Sequence, residues 1–209
     1  MADLQAMSEA LQKGKAPDVV KLVKEALDEG MDPQTILDDG LIAGMSVIGE
    51  KFKNNEVYVP EVLIAARAMN QGTAALEPAL LAAGIKPENK MALGTVKGDL
   101  HDIGKNLVAM MFKGAGFEVI DLGIDVSVEK FVEAAKDPAV KLIGLSALLT
   151  TTMPGMKDVV EAIKKEGVDA KVIIGGAPVT ESYANEIGAD GYAPDAASAV
   201  EIGKKVIGA

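Results

Sequence analysis

Apolar positions in the first eighty-odd residues recur every three or four places, the period of helices that bury one face. Leu4, Met7 and Leu11 mark a short first helix, and Val19, Val20, Val23 and Leu27 a second. Leu37, Leu41, Met45, Ile48 and Phe52 mark a third. Its start is signalled by Asp32, able to cap free N–H groups, and by Pro33, which suits a first helical position because no N–H is needed there. A fourth stripe runs through Val62, Ala66, Met69, Thr73, Leu76 and Leu80. Four amphipathic helices joined by short links predict an N-terminal four-helix bundle over residues 1–86.

The polar stretch Gly84-Ile85-Lys86-Pro87-Glu88-Asn89-Lys90 breaks this period and reads as a linker. Over residues 90–209 the pattern changes. Short apolar runs at 91–96, 117–122, 142–145 and 172–174, with a weak one near Tyr192, alternate with helical segments. Such alternation belongs to β/α units around a parallel sheet, and five units predict a doubly wound α/β domain. Sheets of this kind bind ligands beyond the carboxyl ends of their strands. The loops after Val96, Leu145 and Ile174 are therefore the places to look for chemistry.

Composition narrows the possibilities. The 209 residues are 49% apolar and 25% charged, as in an ordinary folded protein large enough for two cores. A net charge of −10 without a basic stripe repels phosphate backbones, so nucleic acid is a poor partner. The absence of cysteine excludes disulfides, thiolate metal sites and cysteine nucleophiles, and fits the cytoplasm. Met1-Ala2-Asp3-Leu4-Gln5 lacks the basic and apolar segments of a leader, and no run approaches the ~20 apolar residues of a membrane span. The expectation is a cytoplasmic chain without a membrane partner.

After the first strand the chain reads Lys97-Gly98-Asp99-Leu100-His101-Asp102-Ile103-Gly104, and His101 is its single histidine. With one histidine and no cysteine, a conventional zinc site would have to rest on carboxylates. One imidazole can still be an axial ligand if the metal arrives held by a macrocycle. Such a ligand needs an acceptor on its other nitrogen, to fix the tautomer and raise basicity, and Asp99 can supply it. Taken alone, this Asp-x-His reads equally as an exposed loop histidine beside a capping aspartate.

Three separated pieces carry a resemblance. Asp99-x-His101-x-x-Gly104, then 41 residues, Ser146-x-Leu148, then 26 residues, Gly175-Gly176 resembles the cobalamin-binding signature of methionine synthase and its corrinoid-protein relatives. Each piece falls at the ligand edge of a predicted strand. The strings Thr95-Val96-Lys97-Gly98-Asp99 and His101-Asp102-Ile103-Gly104-Lys105-Asn106 extend the similarity. In the helical half it continues through Ile48-Gly49-Glu50-Lys51-Phe52 and from Val59-Pro60-Glu61 to Ala65-Ala66-Arg67-Ala68-Met69. Without the barrel domains of methionine synthase, the chain is most similar to the methyltransferase-cognate corrinoid proteins of methylotrophic methanogens and acetogens.

The resemblance implies a helical cap domain followed by a Rossmann-like, flavodoxin-like cobalamin-binding domain with a five-stranded parallel sheet. It implies cobalamin or a related corrinoid, such as methylcobalamin, bound base-off/His-on. His101 would be the axial ligand to the corrin cobalt, Asp99 would bond the far imidazole nitrogen, and Ser146 would extend that relay. Gly104, Gly175 and Gly176 would leave room for the displaced nucleotide tail. Gly98, Asp102, Ile103, Leu148 and Thr150 would complete the contacts of the sheet domain. Tyr58, Val59 and Met69, with Val62 and Leu63, would shield the upper face. Tyr58 stands where the relatives commonly carry phenylalanine.

By the same resemblance the chain is no enzyme by itself but a methyl carrier. It would accept a methyl group on Co(I) from a substrate-specific methyltransferase and pass it to a second one serving tetrahydrofolate or coenzyme M, with a reductive activase as a further partner. The donors would be methylamines, methanol, betaine or aromatic methyl ethers. Rival classes differ in identifiable features. A response-regulator receiver needs an aspartate at the end of the third strand, where Leu145-Ser146-Ala147 stands. A cobalamin-dependent sensor needs a DNA-binding module. An adenosylcobalamin mutase subunit shares the sheet motifs but not the four-helix cap.

Overall fold

The computed structural model describes residues 3–87 and 89–209. Met1 and Ala2, at the head of the stretch inspected for a leader, and Glu88, inside the expected linker, lie outside the described residues. Two compact units emerge, one from residues 1–88 with 114–116, the other from residues 89–113 and 117–209. Among the described residues no helix is long and apolar enough to cross a membrane.

The first unit is helical: α1 (Leu4–Gln12), α2 (Ala16–Asp28), α3 (Pro33–Thr35), a π-helical segment (Ile36–Ile42), α4 (Ala43–Lys53) and α5 (Val59–Ala82). Asp32 caps α3 by accepting the Thr35 N–H, and Pro33 takes the first helical position. From there the backbone stays helical through the π segment into α4. This is the third helix of the apolar pattern, with one difference in register. Ile36 and Leu41, five residues apart, are both fully buried, whereas Leu37 is only partly so. A π segment bonds each residue to the one five places on, so a stripe of three-or-four spacing drifts by one position there.

Small residues set the spacing between these helices. A Cβ on Gly40 would run into the Met7 sulfur and one on Gly44 into the Ser8 backbone, so α1 lies close against the helical run that holds both glycines. On α5, a Cβ at Gly72 would strike Val19 and Leu41. The apolar side chains that fill the unit, Met7, Leu11, Val23 and Leu76 among them, are fully buried. Each contributes roughly 1.5–3 kcal/mol on removal from water.

The second unit alternates strands and helices: β1 (Lys90–Val96), α6 (Ile103–Gly114), β2 (Glu118–Val126), α7 (Val128–Ala135), β3 (Val140–Ser146), α8 (Pro154–Glu166), β4 (Lys171–Gly175), α9 (Glu181–Ile187), β5 (Gly191–Ala193) and α10 (Ala196–Ile207). All strand pairs are parallel, in the order β2-β1-β3-β4-β5. This is the doubly wound, flavodoxin-like sheet expected from the alternation. β1 is buried from Met91 to Val96, as a parallel strand covered on both faces should be. Gly94 within it leaves space for the ring of Phe131, which a Cβ would meet at 2.8 Å. The strand order reverses between β1 and β3, and at that switch point the loops leaving the two strands diverge to form a crevice. The loop after β1 carries His101.

Candidate cofactor-binding site

Leaving β1, the chain turns through Gly98 at φ +82°, a left-handed conformation that glycine adopts without steric cost. The loop is then held from two strands. The Thr95 hydroxyl, fully buried on β1, donates to the His101 carbonyl at 2.9 Å. At the end of β2, the Asp125 carboxylate accepts the Gly98 N–H at 2.7 Å, and the Asp125 N–H donates to the Asp99 carbonyl at 3.0 Å.

Asp99 is fully buried, and its two oxygens face different partners. Oδ1 accepts the His101 backbone N–H at 3.1 Å and lies 2.7 Å from His101 Nδ1. Oδ2 accepts the Thr152 hydroxyl at 2.7 Å, the Leu148 N–H at 2.8 Å and the Leu149 N–H at 3.3 Å. Burial alone would raise the carboxyl's pKa. The Thr152 hydroxyl, the Leu148 N–H and the two His101 bonds outweigh it and hold Asp99 well below the usual carboxylate range. An ionised carboxylate can only accept, so the imidazole proton sits on Nδ1 and the Nε2 lone pair is left for another partner. The His101 side chain is 50% exposed, and among the described residues nothing hydrogen-bonds its Nε2.

The carboxyl edge of the sheet is also apolar where water meets it. Leu100, Ile103, Ile124, Leu148 and Leu149 are all exposed there, an arrangement that marks a surface built for an apolar occupant. Gly104, in the first turn of α6, would present a Cβ with no neighbour within 4 Å, so the structure is open on that side. Asp102 accepts the side-chain N–H of Asn106 and lies exposed, as does Thr150. Among the described residues no three His, Cys, Asp or Glu side chains converge to hold a bare metal ion. A lone imidazole on an apolar edge could hold a cobalt that arrives already bound within a corrin ring.

One expectation is corrected, and two glycines gain a structural role of their own. Ser146, half-buried at the end of β3 in register with Thr95 and Gly175, has no hydrogen bond to Asp99 or His101 among the described residues. The hydroxyl on Asp99 belongs to Thr152, because the chain beyond β3 folds back through a turn in which the Thr152 N–H donates to the Leu149 carbonyl at 3.1 Å. Gly176, at φ +139°, leaves room for the protein's own backbone: a Cβ there would collide with the Ala147 carbonyl oxygen. Gly175 likewise lies close to the Ala193 carbonyl oxygen, which a Cβ would approach to 3.0 Å.

In the helical unit, Met69 and Val62 are buried, two turns apart on the stripe that also holds Ala65, Ala66 and Leu76. They belong to the packed face of α5 rather than to an open one. Tyr58, Val59, Leu63 and Ile64 are the large apolar residues exposed at its start.

Residue spacing missed several members of the site. Thr152 sits in a run of three threonines with nothing to single it out. Asp125 carries φ +51° at the end of a strand that extends past its apolar run. Lys105, only 3% exposed, bonds Asp121 through both carboxylate oxygens. Its signal was available: a charge four and seven places before the buried Ala109 and Phe112, on the inner face of α6.

Comparisons with known proteins give the family of the chain. Two family models match the chain, each described as a B12 binding domain, one over residues 3–77 and the other over residues 89–201. The chain is 41% identical to a corrinoid protein of Desulfitobacterium hafniense, over 100% of this chain and 99% of that one. It is 44% identical to dimethylamine corrinoid protein 1 of Methanosarcina acetivorans, over 98% and 97%. Its structure is similar to one in the methanol:cobalamin methyltransferase complex of Methanosarcina barkeri, with a TM-score of 0.87 and 30% identity, over 97% of this chain and 78% of that one. The chain belongs to the B12-binding corrinoid protein family, with its helical B12-binding domain preceding the sheet domain.

Proposed function

We propose that the chain holds cobalamin or a related corrinoid base-off, with His101 as axial ligand to cobalt, and carries a methyl group between two partner methyltransferases. The bound corrinoid would supply a nucleophilic, redox-active metal that takes up and gives back the methyl group. Everything else falls to the protein. His101 offers the Nε2 lone pair, and Asp99 keeps the proton at Nδ1 so that this lone pair stays available. Leu100, Ile103, Leu148 and Leu149 exclude water from the ligand side. Gly98, Asp102, Thr150 and Gly175 lie along the same edge as further contacts, and Gly104 gives the nucleotide tail clearance. Tyr58, Val59 and Leu63 are the shielding residues of the helical domain.

The partner reading rests on the relatives. One is a corrinoid protein named for dimethylamine, and one solved structure is a methanol:cobalamin methyltransferase complex. They support a substrate-specific methyltransferase as the first partner and a small methylated amine or methanol as the donor. The second partner is a methyltransferase with a tetrahydrofolate or coenzyme M acceptor, and a reductive activase maintains the pool. The chain is a cytoplasmic carrier, without a catalytic residue of its own.

The Asp99–His101 pair carries this reading. Its test is reconstitution of apo protein with hydroxocobalamin, followed by electron paramagnetic resonance of the reduced Co(II) form. With ¹⁵N-histidine label, coupling to one protein nitrogen is expected in the wild type and none in His101→Ala. Persistent coupling in the variant, or a wild type that takes up no corrinoid, would sink the proposal.

A further inference from the structure

Building on that reading, we propose that Asp125 is a positioning residue of the cobalt ligand: from the end of β2 it fixes the turn that leads from β1 into the His101 loop. Val96, Lys97, Gly98 and Asp99 form that turn, closed by the Asp99 N–H donating to the Val96 carbonyl at 3.1 Å. Gly98 stands third in it at φ +82°, the conformation that a type II turn requires there. The N–H of the third residue has no partner inside such a turn, and glycine permits the peptide before it to flip. The Asp125 carboxylate accepts that N–H at 2.7 Å, which selects one orientation of the peptide. The Asp125 N–H in turn donates to the Asp99 carbonyl at 3.0 Å. Both ends of the dipeptide formed by Gly98 and Asp99 are thereby tied to a single residue of β2.

The backbone of Asp125 points to the same role. Among the described residues only Asn55 and Asp125 combine a side chain with positive φ. Asn55 follows the end of α4, where a left-handed residue is ordinary. Asp125 lies within β2 at φ +51°, where glycine would be the less strained choice, as the same strand uses at Gly123. Aspartate reaches this region more readily than most residues, yet what it has and glycine lacks is the carboxylate on Gly98. The consequence travels two residues along the chain. Oδ1 of Asp99 meets both the His101 N–H and Nδ1, so the direction in which the chain enters residue 99 sets where the imidazole stands. Thr95 secures the far end through the His101 carbonyl.

The test is amide hydrogen exchange in the apo protein, read residue by residue by NMR, on variants that separate the carboxylate from the backbone conformation. Asp125→Gly removes the carboxylate and relieves the strain, and Asp125→Ala removes the carboxylate but keeps the strain. Asp125→Asn retains an acceptor oxygen and tolerates positive φ. Exchange at Gly98 is expected to rise about tenfold or more in both Asp125→Gly and Asp125→Ala, the scale of one hydrogen bond to a charged group. The His101 N–H should follow it. Both should accelerate far more than the N–H of Ile143, which is fully buried on β3 and reports global stability. Asp125→Asn should stay nearer to wild type than to Asp125→Gly. After loading with hydroxocobalamin, electron paramagnetic resonance of the Co(II) form should show a smaller His-ligated fraction in Asp125→Gly than in Asp125→Asn.

Wild-type exchange at Gly98 in Asp125→Gly would overturn the assignment, because the backbone conformation alone would then be what matters. So would an acceleration matched at Ile143, an Asp125→Asn protein as fast as Asp125→Gly, or a change at Gly98 that leaves the His101 N–H as in wild type. Failure of the corrinoid reading would appear elsewhere, as wild-type protein that never ligates cobalt through His101. The apo measurement thus separates the two.

Discussion

Lys105 Nζ lies 2.7 Å from each carboxylate oxygen of Asp121 and 2.7 Å from Asn106 Oδ1, so all three ammonium donors are met. Lys105 comes from the buried side of α6 and Asp121 from β2, where its side chain is 46% exposed. The pair therefore ties the turn that follows His101 to the edge of the sheet.

Unequal exposure makes the two ends unequal in cost. Asp121→Asn leaves a buried ammonium without a counter-charge, whereas Lys105→Met leaves a carboxylate that water can reach. Loss of one partner of a fully buried pair costs about 3–5 kcal/mol, and the half-open position of Asp121 reduces that to about 2 kcal/mol. Methionine fills the lysine space at about 1 kcal/mol or less. Urea unfolding of the apo variants should rank Asp121→Asn below Lys105→Met, and the reverse order would contradict this account.

The same pair predicts an acid-sensitive stability. Burial pushes the Asp121 carboxyl up, but the Lys105 ammonium and the Gly123 N–H more than offset this and hold it below its ordinary value. A carboxyl with a depressed folded-state pKa stabilises the fold above the ordinary carboxylate range, and the contribution fades as pH falls through that range toward the folded value. Asp99 shifts in the same direction. The urea midpoint of apo wild type should therefore fall between about pH 5 and about pH 3. Asp121→Asn should fall less over this interval, keeping only the share due to other carboxyls. Parallel curves would remove Asp121 from the explanation.

Two glycines of the ligand edge should respond oppositely to alanine. Gly104 is helical with open space where a Cβ would go, so Gly104→Ala should leave the apo melting temperature unchanged or raise stability by up to about 1 kcal/mol. A loss of corrinoid uptake in that variant would then report an occupant beside residue 104. Gly176 combines φ +139° with the Ala147 carbonyl in the Cβ position. Gly176→Ala should cost about 1–3 kcal/mol whether or not corrinoid is present. Thermal melts of both apo variants check the contrast, and indistinguishable melts would refute it.

Periodicity located the helical stretches and the strands because a buried face repeats with the period of its own element. It misjudged Leu37 for Ile36, since a π segment changes that period without announcing itself in residue type. Met69 shows a related limit. Apolar character on α5 does not distinguish the face that packs, with Val62 and Met69, from the face left open at Tyr58, Val59 and Leu63.

By itself the chain determined what is local: the alternation that makes the sheet, the glycine turn at Gly98, and the pairing of Asp99 with His101 two residues on. Only the tertiary structure decided that Thr152, 53 residues away, rather than Ser146, completes Asp99, and that Lys105 finds Asp121 across 16 residues. Partners within one turn are chosen by short-range backbone geometry, which residue types encode directly. Partners on different loops are chosen by sheet register and strand order, which bring the ends of β1 and β3 side by side and are properties of the whole packed domain.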